Sequence, residues 1–339
     1  MTDYRKGKLM TTITTTQPRR SHAIGVIARK EIRDAFRNRL FIIALVLLLG
    51  LSLTAVTLGA LSVRSQMADY LKAVDILTNL GRTDFPAAPP VNPLAVSKNF
   101  INYLAMVGAL LAMILGFTAV HKERQAGTLP LILARPVYRD QFLTGKVLGN
   151  ALLLAALMAV VGAATWLAVG LIGRVWLNAD LTIKLALTMV MSWLYLLTFY
   201  LLAQFFTLRR PNRNQALLLT VIVWLVFAFI FPQIGDTMDL DNQLPGGFFA
   251  TLGMDKAGEE QALQQFKWYE TVRDGVEELS PTKHYERISF ALLGVKKEFL
   301  ANTWQEVLQL KLVNLVGLLV PIVLLLSASY IAFLRQETS

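Results

Sequence analysis

The sequence predicts an all-α, polytopic membrane protein with six transmembrane helices, an N-terminal interfacial helix and an external helical insertion between spans five and six. Three observations predict it. Hydrophobic residues fill 55% of the 339 positions, at a mean hydropathy of +0.50, more than an ordinary globular core needs. Six runs free of Asp, Glu, Lys and Arg are each long enough to cross hydrocarbon as a helix, at about 20 residues per crossing. The basic residues are also unevenly divided between alternate connections. One set of segments carries nineteen Lys and Arg against six acids, and the other fourteen against seventeen.

Taken in order, residues 1–22 are a polar, basic tail, and residues 23–39 read as a helix along the membrane surface. Ile24, Ala28, Ile32 and Phe36 recur on one face of that helix, while Arg29, Lys30, Arg33 and Arg37 can meet headgroups on the other. The same residues serve equally well as a charged flank that orients the first span. The spans are expected at 40–61, 100–120, 147–172, 185–207, 216–234 and 312–334. Pro232 stands near the end of the fifth, where a helix can stop or bend. Spans one to five thus occupy 40–234, the insertion 235–311, and the sixth span with a C-terminal tail 312–339.

The positive-inside bias puts both termini and the 121–146 loop in the cytoplasm, for a chain spanning an inner membrane several times. The first apolar run begins after 39 residues and is too long for the core of a cleavable signal, so it is expected to stay as an anchor. With no cysteine there is neither a disulfide framework nor a thiolate site.

The 121–146 loop holds too many apolar residues for a solvated linker and too few to cross a bilayer. Leu129, Leu131, Ile132, Leu133 and Val137 are expected to make a short surface helix, started by Gly127 with Thr128 as its cap and ended at Pro136. Arg135, Arg139 and Lys146 present charge to a partner or to lipid phosphates; a plain amphipathic re-entry hairpin fits the same pattern. In the insertion, Leu263, Phe266, Tyr269, Val272, Val276 and Leu279 follow helical spacing opposite a run of acids. That stripe needs a cover, from the insertion itself, a second chain or an external accessory protein. Ser280, Pro281 and Thr282 then read as a helix start.

Other chemistries find little support. The three histidines, His22, His121 and His284, lie in separate segments and cannot form one tetrahedral metal site. Ser280, His284 and Glu286 are close in sequence but lack a nucleophile elbow, so no catalytic residue is assigned. The basic clusters have a topological explanation, and no base-stacking or groove-reading motif points to nucleic acid. The spans as read contain no ionisable residue, which argues against coupling to protons or sodium and for an external energy source. Small residues at four-residue steps, such as Ala151, Ala155, Ala159 and Ala163, point to close helix packing.

Glu123, then Gly127, Thr128 and Leu129, then Arg135, Pro136 and Val137, then Arg139, and finally Gly145 and Lys146 resemble the pattern of the permease subunits of type-2 ABC exporters. The resemblance is nearest to the subgroup related to multicopper-enzyme maturation permeases, where Arg-Pro-Val is common at this point. One departure is Pro130, where the family often has Glu. The resemblance implies a coupling helix from about Glu123 to Arg139, with Glu123, Gly127, Thr128, Leu131, Leu133, Arg135, Pro136 and Arg139 meeting a groove of a cytoplasmic ABC ATPase. It implies an "elbow" helix with Arg29, Lys30, Arg33 and Phe36, and an external gate or partner surface with Phe266, Tyr269, Val272 and Pro281.

It further implies two ATPase copies and a second permease chain, with ATP and Mg bound in the ATPase and no cofactor here. The chain itself is not expected to be an enzyme: Val147 follows Gly145 and Lys146, and Asp140 stands where a phosphate-binding loop needs its first glycine. The competing expectation is a membrane anchor or assembly scaffold for an external complex, without transport.

Overall fold

The computed structural model describes residues 20–82, 92–127, 138–210, 212–238, 248–254, 256–265 and 267–335. Among the described residues the regular structure is entirely helical, and six helices are long and apolar enough to cross a membrane. A short helix α1 (Arg20–Ala35) precedes the first spanning helix, α2 (Arg39–Asn79). The next four are α3 (Lys98–Gln125), α4 (Arg139–Leu171), α5 (Ala179–Arg209) and α6 (Asn214–Met238). The insertion contributes α7 (Lys256–Gln265), α8 (Lys267–Glu278), α9 (Pro281–Leu292) and α10 (Trp304–Leu310), and α11 (Leu312–Leu334) is the last span.

The helix boundaries have local causes. Asn38 separates α1 from α2, and its side-chain oxygen accepts the amides of Leu40 at 3.0 Å and Phe41 at 3.4 Å, satisfying donors that a helix start leaves open. Asn178 does the same for α5 through the Leu181 amide at 2.8 Å. Ser280 caps α9 with Pro281 in its first turn, as the Ser-Pro-Thr sequence requires.

Two elements differ from the sequence reading. The first span was expected to end near residue 61, but α2 runs unbroken for 41 residues, about 60 Å at 1.5 Å per residue, so roughly half of it projects beyond the hydrocarbon layer. Its inward face alternates steps of four and three, through Val56, Ala60, Val63, Met67, Tyr70, Val74 and Leu77; the first three are buried and the rest half-buried. Val56 and Val63 pack on Ala168 and Val169 at the end of α4. The fifth span does not stop at Pro232. It widens into a π-turn at Val226–Ile230 and resumes as helix, and the Phe227 carbonyl accepts a hydrogen bond from the Ser280 hydroxyl.

Helix α5 is the centre of the bundle: 78% of its most apolar window is buried, against 11% for α6 and 17% for α11. It packs on α3, α4, α6, α9 and α11. The α3 contact is closest where Gly116 lies against the backbone of Tyr200 and the Ala203 methyl; a side chain on Gly116 has nowhere to go. A separate small apolar cluster closes one end of the bundle, joining Val120 of α3, Phe142 and Leu143 of α4, Leu208 of α5 and Phe333 of α11. This end also carries α1 and the described C-terminus, and is called the terminal face below. The insertion lies at the far face.

Candidate functional site

The helices on either side of the 128–137 segment end in a group of buried charges at the terminal face. Lys146, about two turns into α4, is 1% exposed, Glu123 near the end of α3 is 4% exposed and Glu31 on α1 is 7% exposed. The Lys146 ammonium donates to Glu31 Oε1 at 2.6 Å and to Glu123 Oε1 at 2.9 Å, and Lys30 from α1 donates to the same Glu123 oxygen at 2.9 Å. Two acids and two bases make a net-neutral set, which is how buried charge is tolerated. Asn150, one turn beyond Lys146, reaches Glu31 Oε2 at 3.5 Å, while Tyr200 of α5 donates to the Lys146 carbonyl at 3.3 Å and accepts from Gln204 at 3.1 Å. The Lys146 ammonium also lies 4.9 Å from the centre of the Phe142 ring.

Burial pushes the Glu31 carboxyl above its ordinary range, with Lys146 pulling the other way. For Lys30, burial works against the charged form, but the hydrogen bond and charge of Glu123 outweigh it and raise the ammonium above its usual value. Both effects tie the state of α1 to the helices that flank the 128–137 segment.

Backbone packing makes this meeting possible. Gly145 and Gly149, one turn apart on α4, face Ile27 and Ala28 of α1. A methyl added at Gly145 lies 2.7 Å from the Ile27 Cβ, and one at Gly149 lies 2.6 Å from the Ala28 carbonyl oxygen. The two glycines let α1 lie directly on α4, which brings Glu31 within reach of Lys146. Glycine at these positions serves close approach.

The same flanks also hold the ends of α5 and α11. Arg124 donates to the carbonyls of Thr207 at 2.5 Å and Leu208 at 3.0 Å, covering acceptors that the end of α5 leaves open. Thr144 hydrogen-bonds Tyr330 of α11 at 2.6 Å, and Phe142 stacks on Phe333 at 5.8 Å. A displacement of either flank is therefore felt by α1, α5 and α11 together.

Of the sequence-derived coupling residues, Glu123, Gly127 and Arg139 are described, whereas Thr128, Leu131, Leu133, Arg135 and Pro136 lie outside the described residues. Glu123 is a buried ion-pair member, Gly127 takes a positive φ of 64° just past the end of α3, and Arg139 opens α4 and approaches the Leu334 carbonyl at 3.5 Å. On α1, Arg29 and Arg33 are exposed, Lys30 is also half exposed while its ammonium reaches Glu123, and Phe36 is 53% exposed, outside the core. At the far face Phe266 lies outside the described residues, Tyr269 is half-buried, Val272 is exposed and Pro281 is buried. On α8 Glu277 is buried, with Val276 of the apolar stripe half-buried beside it.

Sequence reasoning missed Glu31, Lys146 as an ion-pair member, Asn150 and Tyr200. One signal was present: Glu31 interrupts the apolar face of α1 between Ala28 and Ala35, and an acid there needs a base brought to it.

Residues 26–338 match the family described as ABC-2 family transporter protein. The chain belongs to that family. It is 27% identical over 215 residues to "Probable ABC transporter permease protein NosY" of Stutzerimonas stutzeri, which covers 61% of this chain and 67% of that protein. It is 30% identical over 132 residues to the protein of the same name from Pseudomonas aeruginosa, covering 39% of this chain and 40% of the relative. Membership makes the chain a multi-pass membrane subunit of an ABC transporter, one that works with an ATPase subunit and is a transport component, not itself an enzyme.

Proposed function

We propose that this chain is the driven half of an ATP-powered exporter in an inner membrane. Its terminal face lies in the cytoplasm, and the segment from Glu123 to Arg139 docks in a groove of a cytoplasmic ATPase. Two such chains form the pathway between them, and two ATPase copies bind ATP and Mg. The observation that carries this reading is the four-charge cluster. It joins α1 to the helices on both sides of the docking segment, at the place where movement of a partner has to enter the bundle. Glu123, Arg135 and Arg139 are assigned to the docking site and its anchorage, and Leu131 and Leu133 to the apolar groove. The face with the larger basic excess is the terminal face, which supports its cytoplasmic placement.

The test uses the Leu131→Ala, Arg135→Ala double variant, co-purified with its ATPase under gentle extraction. Removing a fully buried leucine contact costs about 1.5–3 kcal/mol, or a ten- to hundredfold loss of affinity. The expected result is unchanged expression with the ATPase detached. Wild-type protein that carries no ATPase, together with a double variant fully active in cells, contradicts the reading.

One observation favours a second reading, in which the chain is an anchor or assembly scaffold for an external partner, without transport. Beyond the hydrocarbon layer α2 presents exposed Leu71, Ile76 and Leu80, and α8 presents exposed Val272. Replacing Val272 by Asp leaves membrane insertion intact and abolishes partner capture if the chain is a scaffold, and capture at the wild-type level contradicts that reading.

A further inference from the structure

Two of the spans carry a π-turn, α3 at Leu104–Gly108 and α6 at Val226–Ile230. A π-turn adds one residue to a helix and leaves a carbonyl without its usual amide. In α6 the sequence accounts for the loss. The Phe231 amide donates to the Val226 carbonyl, five residues back, and the next residue, Pro232, has no N–H, so neither serves the Phe227 carbonyl. In α3 the Ala109 amide donates to the Leu104 and Met106 carbonyls and passes over Ala105. Inside a membrane such a carbonyl needs another donor. Both donors come from, or through, the start of α9. The Ser280 hydroxyl donates to Phe227, while Tyr195 of α5 donates to Ala105 at 2.8 Å and its oxygen meets the Thr282 hydroxyl at 3.3 Å. In each π-turn it is the second carbonyl that is taken, and Ser280, Thr282 and Tyr195 are all buried.

We infer that the start of α9 is a latch that sets the helical register of α3 and α6. Engaged, Ser280 and the Thr282–Tyr195 pair supply the donors that keep both π-turns in place. Released, the Phe231 amide returns to the Phe227 carbonyl, four residues back, and α6 closes to a regular helix. The part of α6 beyond residue 230 then turns by about 100°, the angle of one residue. That turn carries Gly235 away from Glu277 of α8, whose carboxylate occupies the place of a side chain there, and takes Asp236 from Lys283 of α9. Release of α9 and loss of the seat of α8 on α6 are therefore one event. The latch needs neither an ATPase nor a direction of transport.

The experiment places the full chain in nanodiscs with Ala291→Cys, a position on α9 that is 1% exposed, as its one cysteine, and measures the rate of labelling by a water-soluble maleimide. Ser280→Ala leaves the Phe227 carbonyl open and is expected to raise the rate about tenfold, the loss of one buried hydrogen bond. Ser280→Thr keeps the hydroxyl and the original rate. The deciding variant is Pro232→Ala, which gives position 232 an amide for the Phe227 carbonyl. In that background Ser280→Ala is expected to have no effect, while Tyr195→Phe, which opens Ala105 in α3, still raises the rate about tenfold. A rate unmoved by Ser280→Ala overturns the inference. So does a rise of equal size in the Pro232→Ala and the native backgrounds, which shows that Ser280 serves only as the cap of α9 through the Lys283 amide. A chain that never binds an ATPase still gives these rates, so failure of the coupling reading is separately visible.

Discussion

At the terminal face, α1 and α4 meet through Gly145 and Gly149 and share buried charges whose partners have no water to fall back on. The insertion at the far face is held differently. Lys283 pairs with Asp236 at 2.8 Å and with the buried Glu277 at 3.5 Å, and Arg287 pairs with Glu277 and Asp274, but Asp236 and Asp274 are about half exposed. The deeper contact there is His284, whose Nε2 donates to the Glu278 carbonyl at 2.8 Å while Nδ1 accepts from Asn314 at 3.1 Å; burial lowers its affinity for a proton, as these roles require. Gly317 of α11 leaves room for the ring. A buried, mutually dependent cluster moves as one piece, whereas partly solvated pairs can be exchanged one at a time. The first suits transmission of a stroke and the second suits a surface that opens or is covered by something else.

The largest effect expected from this contrast follows removal of one cation at each end. Lys146→Met leaves two buried carboxylates sharing only Lys30 and costs about 3–5 kcal/mol, seen as loss of monodisperse protein and a lowered thermal midpoint. Lys283→Met at the far face costs less, because the half-exposed Asp236 falls back on water and Glu277 keeps Arg287. Equal effects at the two ends remove the distinction. Next in size is Gly149→Leu, which forces α1 off α4 and costs about 1–3 kcal/mol. Proteolysis of α1 in intact membranes should become faster while the spans stay protected.

A smaller effect sharpens the description of the far face. Burial, opposed by Lys283 and helped to a lesser degree by the repulsion of Asp236 and Glu277, raises the Glu286 carboxyl to about 7. The folded chain then holds a proton that the unfolded chain has released between the ordinary glutamate value and about 7. The stabilisation from Glu286 is full below that window and is lost as pH rises through it. The thermal midpoint should fall by a few degrees across this window in the wild type, and Glu286→Gln should flatten the fall.

The spans were legible because hydropathy and helical spacing report directly on contact with lipid. Span one was read too short because charge-free length marks only the hydrocarbon layer: Arg64, Asp69 and Lys72 end the apolar run but leave the helix intact. The spans also looked free of ionisable groups because Lys146 and Glu123 fall just past the apolar windows at both ends of one loop. The pairing of Lys146 with Glu31 and of Glu123 with Lys30 crosses 115 and 93 positions in the sequence between α1 and the two flanks, and no local pattern encodes it. Gly145 and Lys146 could be read as a motif, but their purpose, one giving α1 access and the other holding it, needs α1 in place.

The most direct test of transmission through the cluster uses the natural absence of cysteine. Val26→Cys on the exposed side of α1 carries a spin label, and the distance between the labels of two chains is measured with the ATPase bound, without nucleotide and with ATP trapped. The account predicts two distinct distances in the otherwise unaltered protein. In Glu123→Gln it predicts a single, nucleotide-independent distance with the ATPase still bound. A nucleotide-driven change that survives Glu123→Gln undiminished contradicts it.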